Sequence, residues 1–186
     1  MSKKDVQPII SISTNDLGIK NILVSLPPPK DDSRVLMFFY GTLRRGEHNC
    51  YLLRRSEAVF IGEATLCNAI MFTKKGLGYP YLRHPVYDNV DIYVHELPIV
   101  SGEIWAVKTS ALSRIDALEG YNPTRSPENN HYNRVITTVT MEDFHVGVYT
   151  YVCGPNILSQ LKLNPIESGD WLSFTHSKRT KRGLIV

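Results

Sequence analysis

The chain has 186 residues, 42% hydrophobic and 21% charged, which suits one core-forming domain with extensions. A formal charge of +3 is too small to demand nucleic acid or an anionic membrane as partner. Cys50, Cys67 and Cys153 are odd in number and form no C-x-x-C pair, which argues against a disulfide framework and a zinc site. Reduced thiols, no apolar run long enough to span a bilayer and no secretory signal in MSKKDVQPII predict a soluble, cytoplasmic protein.

Residues 1–34 read as an N-terminal extension. Apolar residues recur at Ile9, Ile10 and Ile12 and at Ile22, Leu23 and Val24, and Pro27-Pro28-Pro29 with Lys30-Asp31-Asp32 then makes a stiff polar linker. The extension can add a strand or short helix to the main domain, meet a protein partner, or stay loose. The main domain follows over residues 35–174, opening with VLMFFY, a run that predicts a strand buried on both faces. A first helix is expected from about Glu47 to Arg55, with Tyr51, Leu52 and Cys50 inward. Phe60 to Phe72 is a second extended candidate and Glu103 to Val107 a third.

A second helix is better marked. Thr109 or Ser110 can cap it, Leu112, Ile115 and Leu118 give one apolar stripe, and Gly120 closes it with positive φ. Pro123 and Pro127 place a loop after it. Arg134 to Met141 and His145 to Val152 are rich in β-branched residues and predict two strands, with Gly147 marking a bulge or close backbone approach. Many strands and few helices predict an α+β fold, a small mixed β-barrel with flanking helices. Residues 175–186, with Lys178, Arg179, Lys181 and Arg182, read as a basic C-terminal tail.

The stretch FFYGTLRRG has Gly41 and Gly46 at the spacing of a phosphate loop. Glu47 and His48 stand where such a loop needs lysine and a hydroxyl residue, so a triphosphate site is disfavoured. It is not G-x-G-x-x-G either, which leaves a dinucleotide little support. A glycine ending a buried strand still turns the chain sharply and bares successive backbone N–H groups, which suit a carboxylate or carbonyl oxygen. A plain strand-to-helix turn is the competing reading.

Glu119 borders the apolar stripe of the second helix and lies in its last turn, where backbone carbonyls make the local potential negative. Both settings raise a carboxyl pKa and favour general acid/base work near neutral pH. A solvated glutamate is the bland alternative. Asp116, one turn earlier, is a rival acid that would repel Glu119 or bond nearby groups. Glu103 reads as a salt-bridged or hydrogen-bonded structural acid. The histidines are scattered, no metal-ligand spacing is present, and no G-x-S-x-G elbow suggests a serine hydrolase. The tyrosines can line a pocket, stack on bases or fill the core.

FFYGTLRRG, Gly78-Tyr79-Pro80, VSGEIWAV, LSRIDALEGY, Tyr132-Asn133-Arg134 and ESGDWLSF together resemble the γ-glutamylcyclotransferase-like family in order and spacing, from about Val35 to Trp171. The resemblance implies a small β-barrel with a pocket at its mouth and cofactor-free release of an amine and 5-oxoproline from a γ-glutamyl amine or peptide. It places Tyr40, Gly41, Thr42 and Leu43 on the turn that holds the glutamyl group, and Glu119 on the catalytic acid/base. Tyr132 falls on a tyrosine that borders the pocket. Arg83 and His84 would add a cation near the mouth and suit an anionic substrate. Residues 1–34 and the basic tail lie outside the resemblance. The alternative to an enzyme is a protein that sequesters a small molecule in the same pocket. Nucleic-acid binding through Arg44, Arg45, Arg54, Arg55 and the tail is weakened by the modest net charge.

Overall fold

VLMFFY becomes strand β3 (Arg34–Phe39), and each of its faces is buried in a different apolar cluster. In this computed structural model residues 9–14, 20–25, 33–84 and 99–183 are described. The Pro27–Pro29 linker and the last residues of the basic tail lie outside them. Strand alternation sends Phe38 to one cluster, with Leu66, Ile104 and Val148. Met37 and Phe39 go to the other, with Leu53, Val107 and Ile115.

Strands β4 (Val59–Cys67), β7 (Ile99–Lys108), β8 (Tyr132–Met141) and β9 (Phe144–Cys153) complete the main sheet with β3. β9 pairs antiparallel with β8 through the whole of its length and parallel with β3 at Tyr149, closing the order β9-β3-β7-β4-β8 into a five-stranded mixed barrel. The α+β barrel expected from the sequence is thus the fold found. In the N-terminal extension, β1 (Ile9–Thr14) and β2 (Lys20–Ser25) form an antiparallel hairpin whose second strand pairs with β9 at His145 and Val146. A small sheet of β5 (Ile70–Thr73), β6 (Tyr81–Arg83) and β10 (Asn164–Pro165) lies apart from the main one. The stretch expected to extend from Phe60 to Phe72 is therefore two strands, parted near Asn68, whose φ is +59°.

The helices depart more from expectation. α1 spans Cys50–Arg55, later than predicted, because residues 41–49 are spent on consecutive turns. This changes the inward face: Cys50 and Leu53 are buried, whereas Tyr51 is 44% exposed. α2 (Leu112–Leu118) has no side-chain cap. Thr109 instead opens a 3-10 turn, with its N–H bonded to the Ser33 carbonyl. Ile115 is fully buried, but Leu118 is 41% exposed, so the apolar stripe ends before the helix does. Gly147 sits in regular pairing with Thr138, and a Cβ there would meet no atom within 4 Å. Its expected bulge or close approach is absent.

Two further helices carried no signal that we read. α3 (Pro155–Gln160) has proline in its first turn. α4 (Trp171–Gly183) begins after Asp170, whose carboxylate accepts from the Leu172 and Ser173 N–H groups.

Gly102 on β7 is where the barrel is tightest. A Cβ there would stand 2.4 Å from the Phe38 ring and 2.7 Å from the Phe39 carbonyl oxygen. Gly102→Ala should therefore push on the end of β3 and destabilise the fold by about 1–3 kcal/mol, read as a lower denaturant midpoint at constant slope. An unchanged midpoint would show that Phe38 and β3 yield freely.

Candidate active site

β3 ends at Phe39, and the next residues fold into a chain of tight turns. The Arg44 N–H bonds the Gly41 carbonyl at 3.1 Å and the Glu47 N–H bonds the Arg44 carbonyl at 3.1 Å. Asn49 fastens the loop from the far side, its N–H to the Thr42 carbonyl at 3.1 Å and its side-chain amide to Thr42 Oγ1 at 3.0 Å. Glycine is required at 41 by contact: a Cβ would approach Pro80 Cγ to 2.9 Å. Among the described residues no hydrogen bond takes up the N–H groups of Gly41, Thr42 or Leu43.

The arginines of the motif face away from this loop. Arg44 is 5% exposed and pairs with Asp170. Arg45 bonds Glu103 through its side chain at 3.3 Å and through its backbone N–H at 3.0 Å, and reaches Glu63 at 3.1 Å. Glu103, 1% exposed, also accepts from Trp105 Nε1 at 3.0 Å, the structural role expected of it. Glu47, the residue that spoils a phosphate loop, is buried and accepts from Trp171 Nε1.

Beside the loop lies a cavity of about 460 Å³ that all six predicted site residues line: Tyr40, Gly41, Thr42, Leu43, Glu119 and Tyr132. Glu119 comes from the end of α2, where its N–H still bonds the Ile115 carbonyl at 3.0 Å. Gly120 then reverses the chain with φ +63°, and a Cβ there would strike His131 Cβ at 2.9 Å. Burial lifts the Glu119 carboxyl to about 8, with the Asp116 charge adding to the rise. Asp116 does not turn outward: Tyr151 Oη donates to it at 2.7 Å and Arg134 pairs with it at 3.2 Å.

The tyrosine hydroxyls are committed. Tyr40 Oη donates to the Tyr151 carbonyl at 2.8 Å and Tyr132 Oη to the Pro80 carbonyl at 2.7 Å. Burial holds both phenols well above their ordinary range, so they remain protonated. Each can still accept a hydrogen bond. The cavity also takes in Tyr79, Tyr151, His48, Asn49 and His131, of which sequence reasoning had singled out only the tyrosines as possible lining. Arg83 and His84 do not line it, contrary to the cation expected at the mouth. Among the described residues no three His, Cys, Asp or Glu side chains are grouped to hold a metal ion, and no helix is long and apolar enough to cross a membrane. The loop after Gly120 is stitched by Asn130, whose side chain accepts from the Asn122 N–H at 3.1 Å and donates to the Asn122 carbonyl at 3.3 Å.

A half-buried acid with a raised pKa and a turn whose N–H groups take no hydrogen bond among the described residues thus line one cavity. A gamma-glutamyl cyclotransferase, AIG2-like family profile matches residues 37–173. A provisionally named gamma-glutamylcyclotransferase of Halalkalibacterium halodurans is 36% identical over 105 residues, which cover 56% of this chain and 80% of that protein. The fold is shared with an AIG2-like protein of Mus musculus, at TM-score 0.53 and 22% identity, over 73% of this chain and 88% of that one. It is shared also with a part of Kluyveromyces lactis allophanate hydrolase, at TM-score 0.56 and 15% identity, over 78% of this chain and 21% of that one. The chain belongs to the gamma-glutamyl cyclotransferase, AIG2-like family and is a cyclotransferase-like enzyme.

Proposed function

We propose that this enzyme cyclises a γ-glutamyl amine or peptide to 5-oxoproline, with Glu119 as its general acid/base. The observation that carries the reading is a half-buried carboxyl, its pKa pushed up to about 8 by desolvation, in one cavity with the N–H groups of Gly41, Thr42 and Leu43, which take no hydrogen bond among the described residues. The glutamyl chain would lie folded between them, its α-amine toward Glu119 and its γ-carbonyl toward the turn.

The Glu119 carboxylate takes a proton from the α-ammonium, and the freed amine attacks the γ-carbonyl carbon to close a five-membered ring. Holding the chain folded supplies most of what this step needs, because the nucleophile is already tethered. Negative charge then grows on the carbonyl oxygen, where preorganised N–H donors count for most. Overall the ring nitrogen sheds two protons. Glu119 accepts them in turn: the first is passed to the departing nitrogen, so that the C–N bond breaks to release a neutral amine, and the second then converts that amine to its ammonium. A carboxyl of pKa near 8 suits both directions of transfer.

Purified protein offered γ-glutamyl amines and dipeptides should release 5-oxoproline, and Glu119→Gln should lower kcat/KM by at least about a hundredfold with its circular dichroism unchanged. Wild-type kcat/KM should rise about tenfold per pH unit up to a bend near 8, set by ionisation of Glu119, and the variant should lack that bend. Turnover undiminished in the variant would remove Glu119 from the mechanism. No turnover of any substrate, with a small molecule retained through purification, would support sequestration instead.

Glu119 also makes stability depend on pH. Its carboxyl titrates at about 8 when folded against an ordinary value of 4.5, so between these limits the folded state holds a proton that the unfolded state has lost. Stability from this group is therefore full below about 4.5, falls as pH rises, and is gone above about 8. Glu119→Gln should be more stable than wild type by an amount that grows across this window, reaching on the order of a few kcal/mol. Melting temperatures that differ equally at pH 5 and pH 8.5 would contradict it.

A further inference from the structure

Among the described residues no lysine or arginine lines the cavity. Arg44 and Arg45 are held by Asp170, Glu103 and Glu63 on the other side of the turn. Residues 85–98, outside the described set, contain no lysine or arginine in their sequence. The one acid present, Glu119, is of the wrong sign for an anionic guest. Of the three N–H groups of the turn, those that the γ-carbonyl leaves free can take the substrate's own α-carboxylate. A second carboxylate, on the amine being released, would find no lysine or arginine among the described lining residues and would be repelled by Glu119 once that ionises.

The remaining wall is aromatic and apolar. Tyr79 and His131 are half-buried, with ring centroids 5.9 Å apart and planes at 66°. Tyr81 stands behind them: its hydroxyl is 3.2 Å from His131 Nε2 and its ring stacks on Tyr132 at 5.5 Å. That backing fixes the orientation of both rings before any ligand arrives. Leu118, 41% exposed, lines the same cavity. Burial lowers the His131 pKa, so its ring presents no charge at neutral pH. For a glutamyl chain placed between the turn and Glu119 as proposed above, Tyr79, His131 and Leu118 are among the lining left for the substituent on its γ-nitrogen.

We infer that Tyr79, His131 and Leu118 form the leaving-group subsite, and that the enzyme prefers γ-glutamyl conjugates of aromatic amines that carry no carboxylate. This rests on the cyclotransferase reading above and narrows it to a substrate class. Preformed edge-to-face partners favour an aryl group over a short alkyl chain by several-fold, and the missing cation disfavours an acid at the same place by more.

A matched set of substrates isolates the two effects. γ-Glutamyl-phenethylamide and γ-glutamyl-phenylalanine differ by one carboxylate, and γ-glutamyl-ethylamide lacks only the ring. With the full chain, kcat/KM should be at least tenfold higher for the phenethylamide than for the phenylalanine conjugate, and at least threefold higher than for the ethylamide. Leu118→Arg, which places a cation at the mouth, should shrink the first ratio at least fivefold, and Tyr79→Ala should abolish the second. Smaller ratios, or ratios unmoved by these changes, overturn the inference while leaving the cyclotransferase standing. Calorimetric binding of the same compounds to Glu119→Gln protein separates the two proposals. If no compound is turned over by wild type, the catalytic reading fails, yet the order of affinities still decides the subsite. Equal or reversed affinities for the phenethylamide and phenylalanine conjugates would refute it.

Discussion

A single buried carboxylate fixes the loop on which the site depends. Glu103 sits on β7 opposite Phe39, with 1% of its surface exposed, and an anion so placed must be matched by donors or it is costly. Its donors are the Arg45 backbone N–H, the Arg45 side chain and the Trp105 indole. Because one donor is main chain, the bond sets the path of the backbone two residues past Leu43, not merely the place of a side chain. Arg44, next to it, bridges the two sides: its Nε lies 3.8 Å from the same Glu103 carboxylate and its guanidinium pairs with Asp170, the residue that caps α4. The turn is thus held by β7 on one side and by α4 on the other. Its N–H groups, which take no hydrogen bond among the described residues, are thereby held in a fixed loop.

The acid across the cavity is placed by a comparable device. Asp116, one helical turn before Glu119, is gripped by Tyr151 of β9 and Arg134 of β8. Arg134 also lies over the Tyr121 and Tyr149 rings, which keeps its guanidinium from swinging out to solvent. The end of α2 is therefore tied to two barrel strands at once, and Gly120 turns the chain away directly after Glu119. The same arrangement has an electrostatic side. Arg134 offsets much of the Asp116 charge, so burial remains the larger cause of the high Glu119 pKa.

The strands and the opening motif were legible because they are local statements. An unbroken apolar run, β-branched stretches and a glycine after a buried strand each encode geometry within a few residues. The six candidate site residues came from the family resemblance carried by the order of short motifs, and all six line one cavity. What the sequence hid is long-range pairing. Arg44 finds Asp170 after 126 residues, Glu47 finds Trp171 after 124, and Tyr81 finds His131 after 50, and no spacing rule links such pairs. Helix phase was the other failure. Consecutive turns delayed α1 to Cys50 and exposed Tyr51, and a 3-10 turn replaced the expected Thr109 cap. Both errors arise where the chain reverses, and there tertiary contacts outweigh local propensity.

The charge balance of the cavity suggests how its base would be switched on. Burial pushes the Glu119 carboxyl up to about 8, raises the Tyr40 and Tyr132 phenols and lowers His131, so each of these four groups is favoured in its neutral form. In the proposed reaction, charge then enters with the substrate. An α-ammonium beside Glu119 favours the carboxylate and draws its pKa down, so the acid ionises as the ion it must deprotonate arrives. The empty site avoids holding an unpaired buried anion, which the fold could maintain only at a loss of stability. The burial that makes Glu119 a poor anion in the free enzyme also strengthens its attraction to the ammonium once water is displaced, so one feature of the fold serves both states.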